Sequence, residues 1–516
     1  MGYGGTVSEI DIDWRVCARA RLTRDPRFDG KFFIGVRGSG VYCRPICPAP
    51  TAKEKNCRYF ATAAAAAEAG FRPCLRCRPE ASPDLAAWRG TSNTVSRALT
   101  LIETGALDGG DVEGLASRLG VGERQLRRLF RRHLGASPIS VAQTRRVLLA
   151  KQLIHETRLP MTEVALASGF GSVRRFNETF QRLYDRPPAT LRRLSGEAAA
   201  GEDGVRLDLA YRGPYDWDAL TGFLRMRAIE GVELVSATGY ARTIAIGADR
   251  GVLTVTPSAK PDRLSVTIRF PKLAALPAII ARVRRVFDLT ADPGAIAEHL
   301  SRDPALAPRV AARPGLRVPG AWDGFELAVR AILGQQISVT AATALAGRIV
   351  WEWGELLPAA TAGVVLGLTH VFPGPERLAA ADLSVLPMPG ARSSALKTLA
   401  LAVVADPTLF DGRGDLTEAI TRLKALPGIG EWTAQYIAMR QLREPDAFPS
   451  GDIGLLRAMA AADGRRPTIP ALRARAEAWR PWRAYAALHL WTGEIIADPL
   501  AAAPLDRKAP DDRKAA

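Results

Sequence analysis

Four cysteines in the first 80 residues are spaced like the ligands of a metal ion. Cys43 and Cys47 form a C-x3-C pair, and Cys74 and Cys77 form a C-x2-C pair. Two close pairs let two turns supply four soft thiolates in the tetrahedron that Zn2+ prefers. The spacing therefore predicts a zinc site. On spacing alone the metal is structural and stabilises a module too small to hold itself together.

A glycine-bounded turn and a carboxylate form a second group of candidate residues near the C-terminus. In "LPGIGEWTAQYIAMR", Gly428 and Gly430 let backbone amides approach a phosphate closely. Trp432 and Tyr436 are four residues apart and share a helical face. Asp452 follows in "AFPSGDIGLLRA", just ahead of an apolar helix. The plain alternatives are an ordinary interhelical turn, core packing of the two aromatics and a helix N-cap aspartate.

Two similar stretches, "LASRLGVGERQLRRLF" and "VALASGFGSVRRFNETF", indicate a duplicated helix-turn-helix. In each, a small residue precedes the turn glycine by four positions, as in Ala116 and Gly120 or Ala165 and Gly169. The following helices would present polar residues to DNA, namely Arg124, Gln125, Arg127, Arg128, Ser172, Arg174, Arg175 and Asn177. They would bury Leu126, Leu129, Phe130, Phe176 and Phe180. The alternative is a pair of solvated basic helices.

Composition supports a folded protein with a polyanionic partner. The chain has 516 residues and 55.5 kDa, which predicts about three to four domains. A hydrophobic fraction of 47% with 24% charged residues is typical of globular proteins. The net charge of +17 favours nucleic acid, although a generally basic proteome would also explain it. No signal peptide or membrane span is found in the sequence, so a cytoplasmic location is expected.

Changes in composition near 82–91, 195–204 and 307–320 divide the chain into four segments. The first is read as a small α/β module with an Ala-rich helix at 61–69, and the second as helical throughout. The third alternates apolar and polar residues, which predicts an antiparallel sheet with helices on one face. The fourth returns to helices, which we place at 325–350, 391–404, 433–440, 454–461 and 482–491. The six cysteines are too few for a disulfide scaffold, and Cys17 and Cys57 are expected to be ordinary buried thiols.

Residues 9–80, with "RFDGKFFIGVRGSGVYCRPICPA" and "FRPCLRCRP", resemble the N-terminal domain of the Ada family of DNA methyl acceptors. The resemblance implies that Cys43 is a nucleophile for methylated phosphotriesters in DNA, with Cys47, Cys74 and Cys77 as fellow zinc ligands. Methylation would change the formal charge of a four-thiolate zinc site from about −2 to about −1, so repulsion of DNA phosphates would fall. Arg72 and Arg76 are candidate phosphate contacts, with solvation as their alternative.

Residues 91–195, ending in "FQRLYDRPPATLRR", resemble the AraC-type DNA-binding domain. The resemblance implies two recognition helices that read adjacent major-groove segments. The order of a zinc module followed by an AraC-type DNA-binding domain is also that of the Ada family.

Residues 205 to about 500 resemble the helix-hairpin-helix glycosylases, in particular the AlkA branch, through "YRGPYDWDALTGFLRMRAIEGVE", "GFELAVRAILGQQISV", the hairpin and "WRPWRAYAALHLW". The resemblance implies a catalytic role for Asp452 and a base pocket of Trp432, Tyr436 and Trp491. Relatives that also cut the strand carry a lysine where Trp432 stands, which implies a monofunctional enzyme. Gln336, read as a DNA contact, stands where some relatives have an apolar wedge, and Ile453 stands where some have an aromatic residue.

The sequence thus predicts a multidomain, mainly α protein: an Ada-type zinc module at 1–85, an AraC-type double helix-turn-helix at 91–195, an AlkA-type α+β domain at 205–313, an all-α helix-hairpin-helix glycosylase domain at 314–500 and a disordered tail at 501–516. We expect a Zn2+-containing, monomeric alkylation-response protein that binds promoter and alkylated double-stranded DNA, works with RNA polymerase and has no membrane contact. It lacks a P-C-H-R run, so repair of O6-methylguanine is not expected. The alternative is a transcription regulator with structural zinc and a glycosylase-like domain that binds damage without catalysis.

Overall fold

The computed structural model describes residues 13–83, 93–192, 204–359, 361, 363–411, 416–460 and 464–497. Four modules follow one another along the chain. We refer to residues 13–83 as the first module, 93–192 as the second, 204–312 as the third and 313–497 as the fourth. The predicted tail at 501–516 lies outside the described residues.

The first module is a small four-stranded sheet with one helix packed on it. Its elements are α1 (Trp14–Leu22), β1 (Phe33–Val36), β2 (Val41–Cys43), β3 (Cys57–Phe60), α2 (Ala63–Glu68) and β4 (Arg72–Pro73). The strand order is β3-β1-β2-β4, with β2 and β4 parallel and the other pairs antiparallel. Thr62 caps α2 by accepting a hydrogen bond from the amide of Ala65. The alanines of α2 let this helix lie close to the aromatic side chains of the sheet.

The second module is helical throughout, as the sequence predicts. It consists of α3 (Asn93–Glu103), α4 (Val112–Arg118), α5 (Glu123–Leu134), α6 (Pro138–Glu156), α7 (Met161–Ala167) and α8 (Val173–Tyr184). The turns of both repeats need glycine, because Gly120 has φ +71° and Gly169 has φ +87°. Leu126, Phe130, Phe176 and Phe180 are fully buried as predicted, while Leu129 is only half-buried.

The third module is a five-stranded antiparallel sheet flanked by helices. Its elements are β5 (Val205–Ala210), α9 (Trp217–Arg225), β6 (Glu233–Val235), β7 (Tyr240–Ile246), β8 (Asp249–Pro257), β9 (Arg263–Arg269), α10 (Leu276–Val286), α11 (Pro293–Leu300) and α12 (Ala307–Ala312). The strand order is β5-β9-β8-β7-β6. The alternation of apolar and polar residues therefore corresponds to real strands.

The fourth module is a helical domain with one short hairpin. Its elements are α13 (Gly324–Leu333), α14 (Val339–Trp353), β10 (Glu355–Leu356), β11 (His370–Val371), α15 (Pro375–Ala380), α16 (Gly390–Ala405), α17 (Leu416–Lys424), α18 (Glu431–Arg440), α19 (Ile453–Ala458), α20 (Ile469–Ala476) and α21 (Arg483–Ala497). No helix in the described part of the chain is long and apolar enough to cross a membrane.

The single helix expected at 325–350 is two helices. Gly334 caps the end of α13, Gln336 has φ +60°, and Ser338 starts α14 by accepting a hydrogen bond from the amide of Ala341 at 3.2 Å. A residue in the left-handed region cannot continue an α-helix, so the chain turns here. The break places the 335–338 loop beside the turn between α17 and α18.

The modules are joined by packing as well as by the chain. The second half of the second module, from α6 to α8, shares one hydrophobic core with the sheet and α10 of the third module. Arg97 of α3 pairs with Glu444 at 2.6 Å, and Arg118 of α4 pairs with Asp411 at the same distance. The second module is therefore held against the third and the fourth modules.

A buried ion pair fastens the first module to the second. The ammonium of Lys151 on α6 donates to Glu80 at 2.8 Å and lies 3.4 Å from the carbonyl oxygen of Cys74. Both side chains are almost completely buried. Burial is the largest single influence and opposes ionisation of Glu80, but the charge and hydrogen bond of Lys151, together with a backbone hydrogen bond and the charge of Arg78, lower the pKa of Glu80 overall. A buried charge pair of this kind is costly to break from one side.

We predict that Lys151→Met destabilises the protein by about 3 kcal/mol, because the buried carboxylate of Glu80 then keeps only the partly exposed Arg78 as a charged partner. Unfolding in denaturant, followed on the full chain, measures the change. Since the pKa of Glu80 is lowered in the folded state, the contribution of this pair is present near neutral pH and is lost as the pH falls below about 4.

The matched control is Lys272→Met, which removes an exposed partner of Asp249. This change should cost less than about 1 kcal/mol, since exposed ion pairs contribute little. Equal destabilisation by the two variants would contradict the idea that burial makes the Lys151–Glu80 pair costly to break.

Candidate metal centre and active-site cleft

The four predicted cysteines converge on one point. Their sulfur atoms all lie within 4.8 Å of one another. The parallel pairing of β2 with β4 aligns Tyr42 with Pro73, so the next residues, Cys43 and Cys74, emerge side by side. Cys47 and Cys77 follow in the adjacent turns. Strand pairing thus explains why residues 31 positions apart supply neighbouring ligands.

Backbone amides and a buried ion pair stabilise the cysteine loops. The amide of Arg44 donates to Cys77 Sγ and that of Arg76 donates to Cys74 Sγ, each at 3.4 Å. The guanidinium of Arg44 binds Asp29 and the carbonyl oxygen of Cys77. Four thiolates at this spacing, with their loops held in place, fit a tetrahedral Zn2+ ion.

The remaining two cysteines lie away from this cluster. Cys17 is fully buried, and burial raises the pKa of its thiol to about 11. Cys57 is half-buried, and burial is also the main cause of its raised pKa. Both are therefore poor nucleophiles.

The two arginines predicted beside the cysteines have different surroundings. Arg76 is exposed, so its charge is free to meet a phosphate. Arg72 is half-buried, and its guanidinium lies 5.9 Å from the ring centroid of Tyr184 on α8. Arg72 therefore contributes to the junction between the first and second modules.

Both predicted recognition helices present their polar faces to solvent. The exposed residues are Arg124, Gln125 and Arg128 on α5, and Arg174, Arg175 and Asn177 on α8. Arg174 forms an exposed pair with Glu178 at 2.7 Å, one turn further along. The buried aromatic side of each helix fixes which residues face outward.

A large cleft between the third and fourth modules contains the predicted catalytic residue. Its volume is about 2270 Å3. Asp452 lies in its wall at the N-terminus of α19 and accepts four hydrogen bonds. Oδ1 accepts from the amides of Gly454 and Leu455 and from Trp491 Nε1 at 2.9 Å, and Oδ2 accepts from Trp432 Nε1 at 2.8 Å. The carboxylate is thereby held in one orientation facing the cleft.

The predicted aromatic pocket surrounds this carboxylate. The rings of Trp432 and Tyr436 stack with centroids 5.1 Å apart and planes 10° from parallel. Trp491 packs in the same cluster, together with Leu327 of α13. The cleft therefore offers flat apolar surfaces next to one anionic group.

Several residues of the pocket were missed from the sequence, three of them close to Tyr436. Phe223 lies on α9 in the third module, Arg227 follows the end of that helix, and Arg440 ends α18. Arg440 donates to the hydroxyl of Tyr436 at 2.7 Å. Burial opposes ionisation of this hydroxyl, yet Arg440 and Arg227 together lower the pKa of Tyr436. Arginines near helix ends usually lie on the surface, so nothing local in the sequence distinguishes Arg227 and Arg440 from ordinary surface arginines.

The glycine-bounded turn and the 335–338 loop meet at the mouth of the cleft. Gln335 donates to the carbonyl oxygen of Gly428 at 2.8 Å and to Thr433 at 3.0 Å. Gln336 is exposed beside this contact, and the exposed Ile453 also lines the cleft. Gly430 precedes α18 without a side-chain cap, so amides of the first turn stay available.

Three stretches of the chain match known protein families. Residues 16–80 match the metal binding domain of Ada, residues 115–194 match a helix-turn-helix domain, and residues 206–323 match the AlkA N-terminal domain. The solved 3-methyladenine DNA glycosylase from Archaeoglobus fulgidus superposes with a TM-score of 0.50 at 20% identity, over 57% of this chain and 99% of that one. This likeness shows that the two chains share a fold.

The fold and sites therefore define a DNA-binding regulator with a Zn2+ centre joined to a DNA glycosylase fold. The chain is 41% identical to the probable bifunctional transcriptional activator/DNA repair enzyme AlkA of Mycobacterium tuberculosis, over 93% of this chain and 96% of that protein. It belongs to this family of bifunctional activator and repair enzymes.

Two relatives from Escherichia coli each match part of the chain. DNA-3-methyladenine glycosylase 2 is 38% identical over 55% of this chain and 96% of its own length. The bifunctional transcriptional activator/DNA repair enzyme Ada is 33% identical over 29% of this chain and 40% of its own length.

We predict that Gly428→Ala destabilises the turn by about 1–3 kcal/mol, because Gly428 has φ +83° and an added Cβ would lie 2.4 Å from that of Ala395. Gly430→Ala is the matched control. Gly430 has φ −84°, and an added Cβ meets no atom within 4 Å, so a cost below about 1 kcal/mol is expected. Denaturant unfolding of both variants checks this, and an equal loss would refute it.

Proposed function

We propose that the C-terminal half removes alkylated bases of the 3-methyladenine type from double-stranded DNA by hydrolysing the N-glycosidic bond. The observation that carries this proposal is Asp452, fixed by two indole N–H groups inside an aromatic cleft. The name of the relative with 38% identity, DNA-3-methyladenine glycosylase 2, supports the same substrate class, and the name of the relative with 41% identity supports a role in DNA repair.

The proposed cleavage of the glycosidic bond depends on the carboxylate of Asp452 and on the aromatic rings around it. The damaged nucleotide must leave the stack to reach the cleft, and its glycosidic bond breaks through a transition state with positive charge on the sugar. A carboxylate about 4 Å from that charge stabilises it by roughly 4 kcal/mol at an effective dielectric constant near 20, or about a thousandfold in rate. Oδ2 of Asp452 accepts only one of the four hydrogen bonds, so it can also orient the attacking water.

The pocket also explains which bases would leave. Purines methylated at N3 or N7 are cationic, stack well on Trp432 and Tyr436, and depart without a general acid. Trp432 has no amine to form a Schiff base with the sugar. We therefore propose that the enzyme is monofunctional as a glycosylase and leaves an intact strand with an abasic site.

Asp452→Asn should lower the single-turnover rate of base release by about a thousandfold, because it removes the charge that stabilises the sugar cation. The test uses duplexes with one 7-methylguanine, and the released base is quantified. Thermal unfolding and the zinc content of the variant serve as folding controls. Wild-type protein that binds this duplex but releases no base would favour a damage-binding regulator, and strand cleavage without heat or alkali would contradict the monofunctional assignment.

We propose that the first module accepts a methyl group from a DNA methylphosphotriester at Cys43. The amide of Arg76 donates to the sulfur of Cys74, and the amide of Arg44 donates to that of Cys77. Among the described residues, no backbone amide donates to the sulfur of Cys43 or Cys47, so these two sulfurs keep more available lone pairs than Cys74 and Cys77. The resemblance to the metal binding domain of Ada places the nucleophile at Cys43. Bound Zn2+ supplies the charge that keeps all four sulfurs ionised. Cys43 Sγ attacks the methyl carbon, and the phosphate oxygen leaves as an anion.

Methyl transfer would link damage to gene control. A methylated Cys43 carries no negative charge, so the first module would repel DNA phosphates less and bind DNA more tightly. The recognition helices would place the protein on a promoter, where we propose that it acts as a monomer and contacts RNA polymerase in the cytoplasm. Arg76, exposed beside the cysteines, is the proposed phosphate contact of this module.

Incubation with DNA that carries methylphosphotriesters should add about 14 Da to Cys43, one methyl in place of a proton. Peptide mass spectrometry measures the adduct. Cys43→Ser should show none, while Cys17→Ser, which changes a buried thiol outside the cluster, should be methylated as in the wild type. An unmodified Cys43 in zinc-loaded wild-type protein would show that the zinc is purely structural.

A further inference from the structure

Arg227 is a cation in the wall of the cleft that the mechanism above does not use. It lies just beyond α9, in the third module, and lines the same cleft as Asp452 and Tyr436. Its guanidinium carbon lies 3.7 Å from the ring centroid of Phe223, and Nη1 donates to the carbonyl oxygen of Phe223 at 3.2 Å. The hydroxyl of Tyr436 is close enough to raise the pKa of Arg227, against the effect of burial.

Neighbouring arginines have partners that Arg227 lacks. Arg330 pairs with Glu233 and Glu326, each at 2.5 Å. Arg440 donates to the carbonyl oxygens of Pro319 and Gly320 and to Tyr436. Within the part of the chain that the structure describes, no carboxylate forms an ion pair with Arg227.

The remaining donors of Arg227 are therefore available to whatever enters the cleft. Arginine carries five N–H donors and stays charged in proteins. Burial, the largest influence, lowers the pKa of Arg227, and Tyr436 and Asp452 act in the opposite direction. A half-buried guanidinium with free donors prefers an acceptor atom and disfavours a second cation.

We infer that Arg227 is a specificity-determining residue that sorts damaged bases by charge. This inference rests on the proposed glycosylase activity. Arg227 donates hydrogen bonds to a carbonyl oxygen or an unprotonated ring nitrogen of a neutral damaged base. It also weakens the binding of cationic bases, which depend on stacking against Trp432 and Tyr436. The pocket thus balances two chemical classes of lesion instead of serving cationic purines alone.

The test compares two bases of similar shape and different charge in the full-length protein. Single-turnover release is measured from duplexes with one hypoxanthine, which is neutral and carries a carbonyl group, and from duplexes with one 7-methylguanine, which is cationic. Arg227→Met should lower the hypoxanthine rate by about tenfold or more, because a charged hydrogen bond to the base is lost. The same variant should raise the 7-methylguanine rate, because a like charge is removed.

The ratio of the two rates decides the question. An unchanged ratio, including an equal fall of both rates, would show that Arg227 has only a structural role and would overturn the inference. Arg302→Met, an exposed arginine of the third module that does not line the cleft, is the matched control and should leave the ratio at its wild-type value. Wild-type protein that releases neither base would refute the proposed function itself.

A second variant keeps the test decisive if Arg227→Met unfolds. Arg227→Lys retains the charge and loses the planar fork of donors. It should lower the hypoxanthine rate while the 7-methylguanine rate does not rise. A rise in the 7-methylguanine rate of this variant would contradict charge as the basis of selection.

Discussion

Four N–H groups from three helices meet at the carboxylate of Asp452, and the C-terminal half is arranged around this contact. An isolated charge in an apolar cleft is costly, so it needs compensating donors. Two donors come from the first turn of α19, one from Trp432 on α18 and one from Trp491 on α21. The two tryptophans therefore serve twice, since they fix the anion and form part of the pocket. Their positions depend on the packing of helices that are distant in sequence.

The first module must also compensate a concentration of negative charge, which is carried there by sulfur atoms in place of carboxylate oxygens. Four thiolates are brought together by the β2–β4 pairing, and amides of the intervening turns donate to their sulfurs. Under the proposed function, both groups are anions that approach the DNA backbone. The net charge of +17 and the exposed arginines of α5 and α8 offset the repulsion that two anionic centres would create. Under the proposed function, the net positive charge attracts DNA, while the cysteine cluster stays nucleophilic and Asp452 stabilises a cation.

Features set by local spacing were predictable from the sequence, and features set by long-range packing were not. The cysteine pairs, the repeated turn glycines and the hairpin each lie within a few residues, so their geometry follows from short-range rules. The break after Gly334 was missed because apolar periodicity continues across it, although Ser338 is a recognisable cap. Arg227 and Arg440 were missed because only the fold shows that they face the cleft. The Lys151–Glu80 pair joins two modules, and neither residue is unusual in its own segment. The roles predicted for the site residues remain predictions.

The hydrophobic core shared by α6–α8 and the antiparallel sheet bears on how such a protein can evolve. Two separate polypeptides of Escherichia coli match 55% and 29% of this chain. In this chain, separating the second module from the third would expose apolar surface on both of them. Splitting the gene at that point would give two poorly soluble products unless polar substitutions arose first on both faces. The fusion is thus hard to reverse. Mutations on α6–α8 are also constrained, because these helices cover apolar surface of the third module.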